Sequence, residues 1–246
     1  MNGKTNFCFT VFHLPNESSS VRIKCVDTIQ NILPYNQLTN TTTSIKTVEE
    51  IKTFLINNPN FKLDLEGYDP FYKRNFPTYD KEKATPLGWL PEEIGIWASN
   101  YLSYKSFLET DYDYCLIMED DLRIEPEFPE LLEKYVKELP ESWDVFYMFS
   151  PPPLYFGESV SDNLCKPYTM WSNACYLISR QGAKKIIDSV ENNGVHLPAD
   201  WYLLKQLDKF NIYTVKHGHP KGCYLKDVQS TYWKFNRRPK KLTGLL

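Results

Sequence analysis

Apolar and polar positions follow two different periods along the chain, and the periods alternate. Short apolar runs rich in β-branched and aromatic residues predict strands, and they occupy residues 7–14, 112–118, 143–149, 174–179 and 212–215. Apolar residues spaced three and four apart predict helices, and they occupy residues 20–33, 47–56, 91–108, 128–139, 183–190 and 200–210. Strands that alternate with helices predict an α/β fold with a mostly parallel, Rossmann-like sheet and helices on both faces.

Two of the predicted helices carry clear start signals. Thr47 is followed three residues later by Glu50, the spacing of a capping box, in which the side chains of both residues bond to free backbone N–H groups. Pro91 opens the next helix, where its missing N–H group costs nothing. These signals fix where the two helices begin more firmly than hydrophobic periodicity does.

Two segments interrupt the alternation. Residues 57–85 contain three prolines and several aromatic residues, and predict a long loop insertion, which in a compact domain usually serves as a binding loop or lid. Residues 233–246 form a basic tail, which suits either a solvated end or contact with an anionic membrane surface. The length of 246 residues fits one large or two small domains, and we expect residues 1–246 to form a single domain.

Charge and composition exclude several classes of protein. The formal net charge of -3 gives no electrostatic footprint for nucleic acid, so we expect no nucleic-acid partner. The sequence has no apolar run of about 20 residues and no signal-peptide stretch at its start. We therefore expect a soluble, cytoplasmic protein with at most peripheral membrane contact. The six cysteines show no close pairing and predict free core thiols.

Three consecutive carboxylates, Glu119, Asp120 and Asp121, end the apolar run at 112–118. Adjacent acids repel each other by about 1 kcal/mol per pair in water at 4 Å, and by more where they are partly buried. A hard cation such as Mg²⁺ or Mn²⁺ turns this cost into a gain, and the carboxyl end of a strand is where α/β sheets bind ligands. The alternative is a surface turn whose acids cap the helix that follows near Glu127.

Known nucleotide-binding loops are absent from the sequence: it has no Gly-x-x-x-x-Gly-Lys-Ser/Thr motif and no Gly-x-Gly-x-x-Gly motif after the first strand. Five blocks, in order, resemble glycosyltransferase family 25, which includes lipooligosaccharide and procollagen galactosyltransferases. The blocks are Glu93–Tyr101, Glu119–Glu125, Tyr176–Lys185, Pro198–Tyr202 and Gln229–Thr231. The chain departs from the family at Asn100, where the family often has His, and at its first strand and helix, where Arg22 is the sole arginine.

This resemblance implies a GT-A-type fold and inverting transfer of a hexose from a nucleotide-diphosphate sugar, most often a UDP-sugar, to a hydroxyl of a glycan or glycoprotein acceptor. It also implies Mn²⁺ (or Mg²⁺) as cofactor. Carried onto this sequence, it assigns the metal to Asp121 with Glu119 and His219. Glu119, Asp120 and Arg22 are then candidates for binding the nucleotide sugar, and Asp200 is the candidate general base.

Each of the carried-over roles has a simpler alternative. Asp200 stands at a helix start, where Asp also serves as an N-cap worth about 1 kcal/mol, and His219 also fits a surface loop. Two other functions also remain open: a metal-dependent phosphoryl or nucleotidyl transferase, and a catalytically inactive carbohydrate-binding module.

Overall fold

The computed structural model describes residues 6–14, 19–63, 89–149, 156–168, 172–216 and 223–225. Most of the predicted insertion at 57–85, the whole of the basic tail at 233–246 and the predicted metal ligand His219 lie outside these residues. In the described part, no helix has the length and apolar character needed to cross a bilayer.

The described residues form ten strands and six helices. The strands are β1 (Phe7–Phe12), β2 (Asn36–Gln37), β3 (Tyr114–Glu119), β4 (Leu122–Ile124), β5 (Val145–Phe149), β6 (Phe156–Ser159), β7 (Leu164–Pro167), β8 (Cys175–Ser179), β9 (Ile212–Val215) and β10 (Cys223–Leu225). The helices are α1 (Ser20–Ile32), α2 (Val48–Asn57), α3 (Pro91–Leu108), α4 (Phe128–Val136), α5 (Arg180–Asn193) and α6 (Ala199–Leu204).

Eight strands form one sheet in the order β2-β1-β3-β8-β5-β9-β7-β6. Strand β8 runs antiparallel to both of its neighbours, β3 and β5, and β7 runs antiparallel to β9 and β6. The other six strands therefore point the same way, and the predicted α/β fold with a mostly parallel sheet is confirmed. Strands β4 and β10 form a separate antiparallel pair.

Successive residues of a strand point to opposite faces of the sheet, and helices bury both faces. Leu116 and Met118 on β3 face one apolar core, which α1 and α4 complete. Cys115 and Ile117 on the same strand face the other core, which α2, α3, α5 and α6 cover. The five cysteines whose side chains are described are free and buried, as predicted: Cys8, Cys25, Cys115, Cys165 and Cys175.

The predicted start signals are correct, but two helices are shorter than their patterns indicate, and α4 ends at Val136 rather than near Leu139. Thr47 and Glu50 form the capping box of α2, and Pro91 is the first residue of α3. Helix α6 ends at Leu204 rather than near Phe210. Separate turns follow it, with the N–H groups of Lys209 and Phe210 both donating to the carbonyl of Gln206. These turns keep Phe210 in the core. The apolar residues of this segment are therefore buried although the helix does not extend to them.

Helix α5 packs unusually close to the sheet at its first turn. A Cβ atom on Gly182 would lie 2.2 Å from the carbonyl oxygen of Asp144, the residue before β5. Ser179, at the end of β8, caps the helix by accepting a hydrogen bond from the Gly182 N–H group at 3.0 Å. A side chain at position 182 would therefore displace the helix from the strand.

Candidate active site

The carboxyl ends of β1 and β3 lie side by side. The parallel register pairs Phe12 with Glu119, the last residue of each strand. Strand β8 runs the opposite way and therefore begins at this edge, where the Glu119 N–H group donates to the Ala174 carbonyl at 2.9 Å. Residues that follow β1 and β3 thus meet residues that precede β8. Ligands bind at such an edge in α/β sheets.

Asp120 and Asp121 form the turn between β3 and β4, and both side chains are buried. Arg22 reaches them from the first turn of α1 and is only 6% exposed. Its Nη1 atom donates to Asp120 Oδ1, and its Nη2 atom donates to Asp121 Oδ2 at 3.0 Å. The planar fork of an arginine suits this bridging role, because it offers several fixed donors. The repulsion between the two acids is therefore offset from within the protein.

His13, which was not predicted as a site residue, joins this cluster. Its ring Nδ1 atom lies 3.1 Å from Asp120 Oδ2. Its backbone is fixed on both sides, because its N–H group donates to Thr42 Oγ1 at 2.8 Å and its carbonyl accepts from Asn40 Nδ2 at 2.7 Å. The signal was available, since His13 follows an apolar strand run just as the three carboxylates do.

The two carboxylate oxygens of Asp121 differ in their hydrogen bonding. Its Oδ2 atom is paired with Arg22, but its Oδ1 atom is buried and has no hydrogen-bond partner among the described residues. Burial raises the pKa of Asp121, and the neighbouring Arg22 opposes that rise. A buried acceptor without a partner costs about 1–3 kcal/mol, so this oxygen suits a ligand that supplies positive charge.

Glu119 and Asp200 lie within electrostatic reach of each other. Burial raises the pKa of Glu119 to about 8, and the negative charges of Asp121 and Asp200 add to the rise. Asp200 lies in the first turn of α6, but the N-cap residue is Pro198. Asp200 Oδ1 accepts a hydrogen bond from the Trp201 N–H group at 3.0 Å. The carboxylate therefore lies beside the start of the helix, but Asp200 is not its N-cap residue.

Tyr147 and Asn173 form part of the same region and were also not predicted. The Tyr147 hydroxyl donates to Asn173 Oδ1 at 2.9 Å. Burial raises the pKa of Tyr147, and the charge of Asp200 contributes to that rise, so Tyr147 lies near the candidate base. Ser172, just before Asn173, has a φ of 73°, and its hydroxyl accepts from the Ala174 N–H group at 3.1 Å. This strained turn leads the chain into β8.

The described residues meet the needs of a cation only in part. Among them, no group of three or more His, Cys, Asp and Glu residues is placed to hold a metal ion. Asp121 Oδ1 fits as one ligand, since hard cations take carboxylate oxygens and complete their shells with water and phosphate. Asp120 is less suited, because Arg22 and His13 already occupy its oxygens.

These features define the class of the molecule: an α/β protein with a buried acidic cluster at the carboxyl edge of its sheet. Residues 36–150 match the sequence model of glycosyltransferase family 25 (LPS biosynthesis protein). The family resemblance read from the sequence is thus confirmed for residues 36–150, which are just under half of the chain.

Two similar proteins are procollagen galactosyltransferases. Procollagen galactosyltransferase 1-B of Xenopus laevis is 30% identical over 49% of this chain and 21% of its own length. Procollagen galactosyltransferase 2 of Homo sapiens is 27% identical over 65% of this chain and 25% of its own length. The chain therefore spans a quarter or less of these relatives.

Among solved structures, a glycosyltransferase involved in the glycosylation of the major capsid of PBCV-1 aligns with a TM-score of 0.39 and 11% identity. That alignment covers 83% of this chain and 75% of the other.

Proposed function

We propose that this protein is a metal-dependent, inverting glycosyltransferase that moves a hexose from a nucleotide-diphosphate sugar, most simply a UDP-sugar, to a hydroxyl of a glycan or glycoprotein. The family match supports glycosyl transfer, and the names of the relatives support a hexose such as galactose. The observation that carries the proposal is the buried Oδ1 atom of Asp121 at the carboxyl end of β3, which has no partner among the described residues and lies near Asp200.

Asp121 is the residue that would hold the cation, Mn²⁺ or Mg²⁺. When bound, such an ion neutralises the charge that builds on the leaving diphosphate. Arg22 holds Asp121 in place by donating to Asp121 Oδ2, which leaves Asp121 Oδ1 for the cation. Arg22 and His13 also fix Asp120, so this carboxylate orients its neighbours rather than contacting the cation.

Glu119 suits the donor nucleotide better than the metal. In the metal-free protein the pKa of Glu119 is about 8, so its carboxyl group holds a proton near neutral pH and can donate a hydrogen bond to a ribose hydroxyl. In the sequence both roles were open, and the raised pKa favours the ribose.

Asp200 removes the proton from the acceptor hydroxyl as that oxygen attacks the anomeric carbon. An inverting transfer requires a base on the face opposite the leaving diphosphate, and a carboxylate in this role contributes about 10² to 10⁴-fold. Asp200 comes from α6 rather than from the β3–β4 turn, so the base and the proposed cation ligand lie on separate elements.

The test compares wild type with Asp121→Asn in a UDP-hexose turnover assay and in calorimetry with Mn²⁺. We expect Asp121→Asn to lose at least about 100-fold in turnover, because metal stabilisation of a leaving group is worth several kcal/mol, and to lose Mn²⁺ binding while staying folded. Asp162→Asn is the matched control, since Asp162 lies exposed in the turn between β6 and β7. Full turnover in excess chelator contradicts metal dependence, and release of pyrophosphate points to nucleotidyl transfer instead.

A further inference from the structure

A cleft lies between α5 and the segment formed by α6 and the turns that follow it, away from the acidic site. It has a volume of 410 Å³, within the range of about 300–1,000 Å³ that is typical of small-molecule sites. Lys185, which lines it, pairs with Asp144, the residue just before β5. That position is at the opposite end of the strands from Glu119, so the cleft is separate from the candidate active site.

One wall of the cleft is a polar stripe on α5. Lys185, Ser189 and Asn193 are spaced four residues apart and therefore share one face of the helix. The Lys185 Nζ atom lies 2.7 Å from Asp144 Oδ2, which holds the lysine head at the edge of the cleft. The Ser189 hydroxyl lies 2.5 Å from the Tyr202 hydroxyl on the opposite wall, so this contact joins the two walls.

The other wall comes from α6 and the turns that follow it, through Tyr202, Gln206 and Lys209. Gln206 is only 6% exposed as a whole residue, and its side chain lines the cleft. Its amide offers a polar ligand both N–H donors and a carbonyl acceptor.

The charge of the cleft selects the ligand. Its lining includes two lysines, Lys185 and Lys209, together with side chains that donate hydrogen bonds, and none of the described lining residues is a carboxylate. Asp144 partly offsets Lys185, whereas the exposed Lys209 has no ion-pair partner among the described residues. A lining rich in donors and cations complements an anion.

We propose that this cleft binds an anionic monosaccharide, a sugar unit that carries a phosphate or a carboxylate. The positive charge takes the anionic group, while Gln206, Ser189 and Asn193 take ring hydroxyls. That the ligand is a sugar rests on the proposed function, in which a charged unit of the acceptor glycan occupies this second site. That the ligand carries a negative charge is inferred from the residues that line the cleft alone.

The test is calorimetry in buffer without nucleotide or metal, with glucose 6-phosphate, glucuronate, glucose and inorganic phosphate as separate probes. We expect glucose 6-phosphate or glucuronate to bind, and whichever binds tighter identifies the anionic group. Glucose should not bind. Because no donor or cation is present, the result is independent of whether the protein transfers sugars.

Lys209→Gln should weaken binding of the anionic sugar about tenfold, the loss expected for one hydrogen bond to a charged group. Lys184→Gln is the matched control: Lys184 neighbours Lys185 in sequence but is exposed, pairs with Asp188 and does not line the cleft. Gln206→Leu tests the amide in the same way, with thermal unfolding as the check on folding. Absence of binding by both anionic sugars, or equal affinity in Lys209→Gln and Lys184→Gln, overturns the proposal. Inorganic phosphate that binds as tightly as glucose 6-phosphate overturns the assignment to a sugar.

Discussion

The pairing of Arg22 with Asp120 and Asp121 is the clearest structural fact at the scale of single residues. The family resemblance assigns Arg22 to the nucleotide sugar, and the structure adds a role in which the guanidinium neutralises the acidic turn from inside the fold. Since all three side chains are buried, removing the arginine leaves two carboxylates without their cation.

We therefore expect Arg22→Met to lower the free energy of unfolding by about 3–5 kcal/mol, the usual cost of breaking a buried ion pair from one side. Arg22→Lys keeps the charge but not the fork, and should lose less. Urea unfolding of the metal-free protein measures both. A loss below about 1 kcal/mol for Arg22→Met would mean that the acids are neutralised in another way, for example by protonation.

Glu119 makes the stability of the protein depend on pH. Its pKa rises from an ordinary 4.5 to about 8 on folding, so between these values the folded state holds a proton that the unfolded state releases. The contribution of protonated Glu119 to the free energy of unfolding is therefore fully present below pH 4.5 and is lost as the pH rises through 8. We expect Glu119→Gln, which cannot ionise, to flatten this fall. Urea unfolding at intervals from pH 5 to 9, without metal, measures the difference, and parallel curves for the two proteins would refute the raised pKa.

The acidic turn could be located from sequence because a strand's end is visible in its apolar pattern. His13 was within reach of the same reasoning, since it follows β1 and the parallel register brings it beside the carboxylates. Asn173 was not, because its place depends on the direction of β8, which no local pattern specifies. The pairing of Arg22 also depends on how α1 lies over the sheet, and periodicity does not fix that.

At the scale of elements, the contact between α5 and the sheet depends on a missing side chain. Gly182→Ala would place a methyl group 2.2 Å from the Asp144 carbonyl oxygen, and the backbone atoms there cannot move aside cheaply. We expect a loss of about 1–3 kcal/mol in unfolding free energy, as is typical of overpacking.

Gly95→Ala is the matched comparison within α3. Its Cβ would lie 3.1 Å from the Thr43 carbonyl oxygen, a contact that needs only a small shift, and alanine gains about 1 kcal/mol over glycine in a helix interior. This variant should therefore be close to neutral. Equal losses for Gly95→Ala and Gly182→Ala in thermal unfolding would show that the close approach at Gly182 is not what sets the cost.

The longer elements could be predicted from sequence and the shortest could not. Helices α2 and α3 begin where their start signals stand. Strands β5, β8 and β9 lie within the predicted apolar runs, and β3 extends one residue beyond its run, to Glu119. Strands β2, β4 and β10 have only two or three residues each, too few for a period of two to repeat. Strands β6 and β7 have four residues but lack the apolar run that marks the equally short β9. They form because neighbouring strands offer them backbone partners, which is a tertiary effect.

At the scale of the whole molecule, the reversal of β8 decides what surrounds the acidic site. In a fully parallel sheet, only segments that follow strands meet at the carboxyl edge. Here the segment that precedes β8 also arrives there, bringing Asn173 and the Ala174 carbonyl beside Tyr147 and Glu119. The rule that ligands bind at the carboxyl ends of the strands therefore predicts the correct edge of the sheet. It does not predict the residues that precede β8, which also line this edge.

The unbroken register of β1 on β3 determines how the chain tolerates insertions and deletions. Six consecutive pairs, from Phe7 with Tyr114 to Phe12 with Glu119, align without a bulge. Removing one residue within β1 would exchange its two faces, since side chains alternate, and would bring Leu14 to the place that His13 now holds beside Asp120. Length changes in this strand would therefore damage the core and the acidic site together, whereas substitutions at the strand ends can alter the site alone.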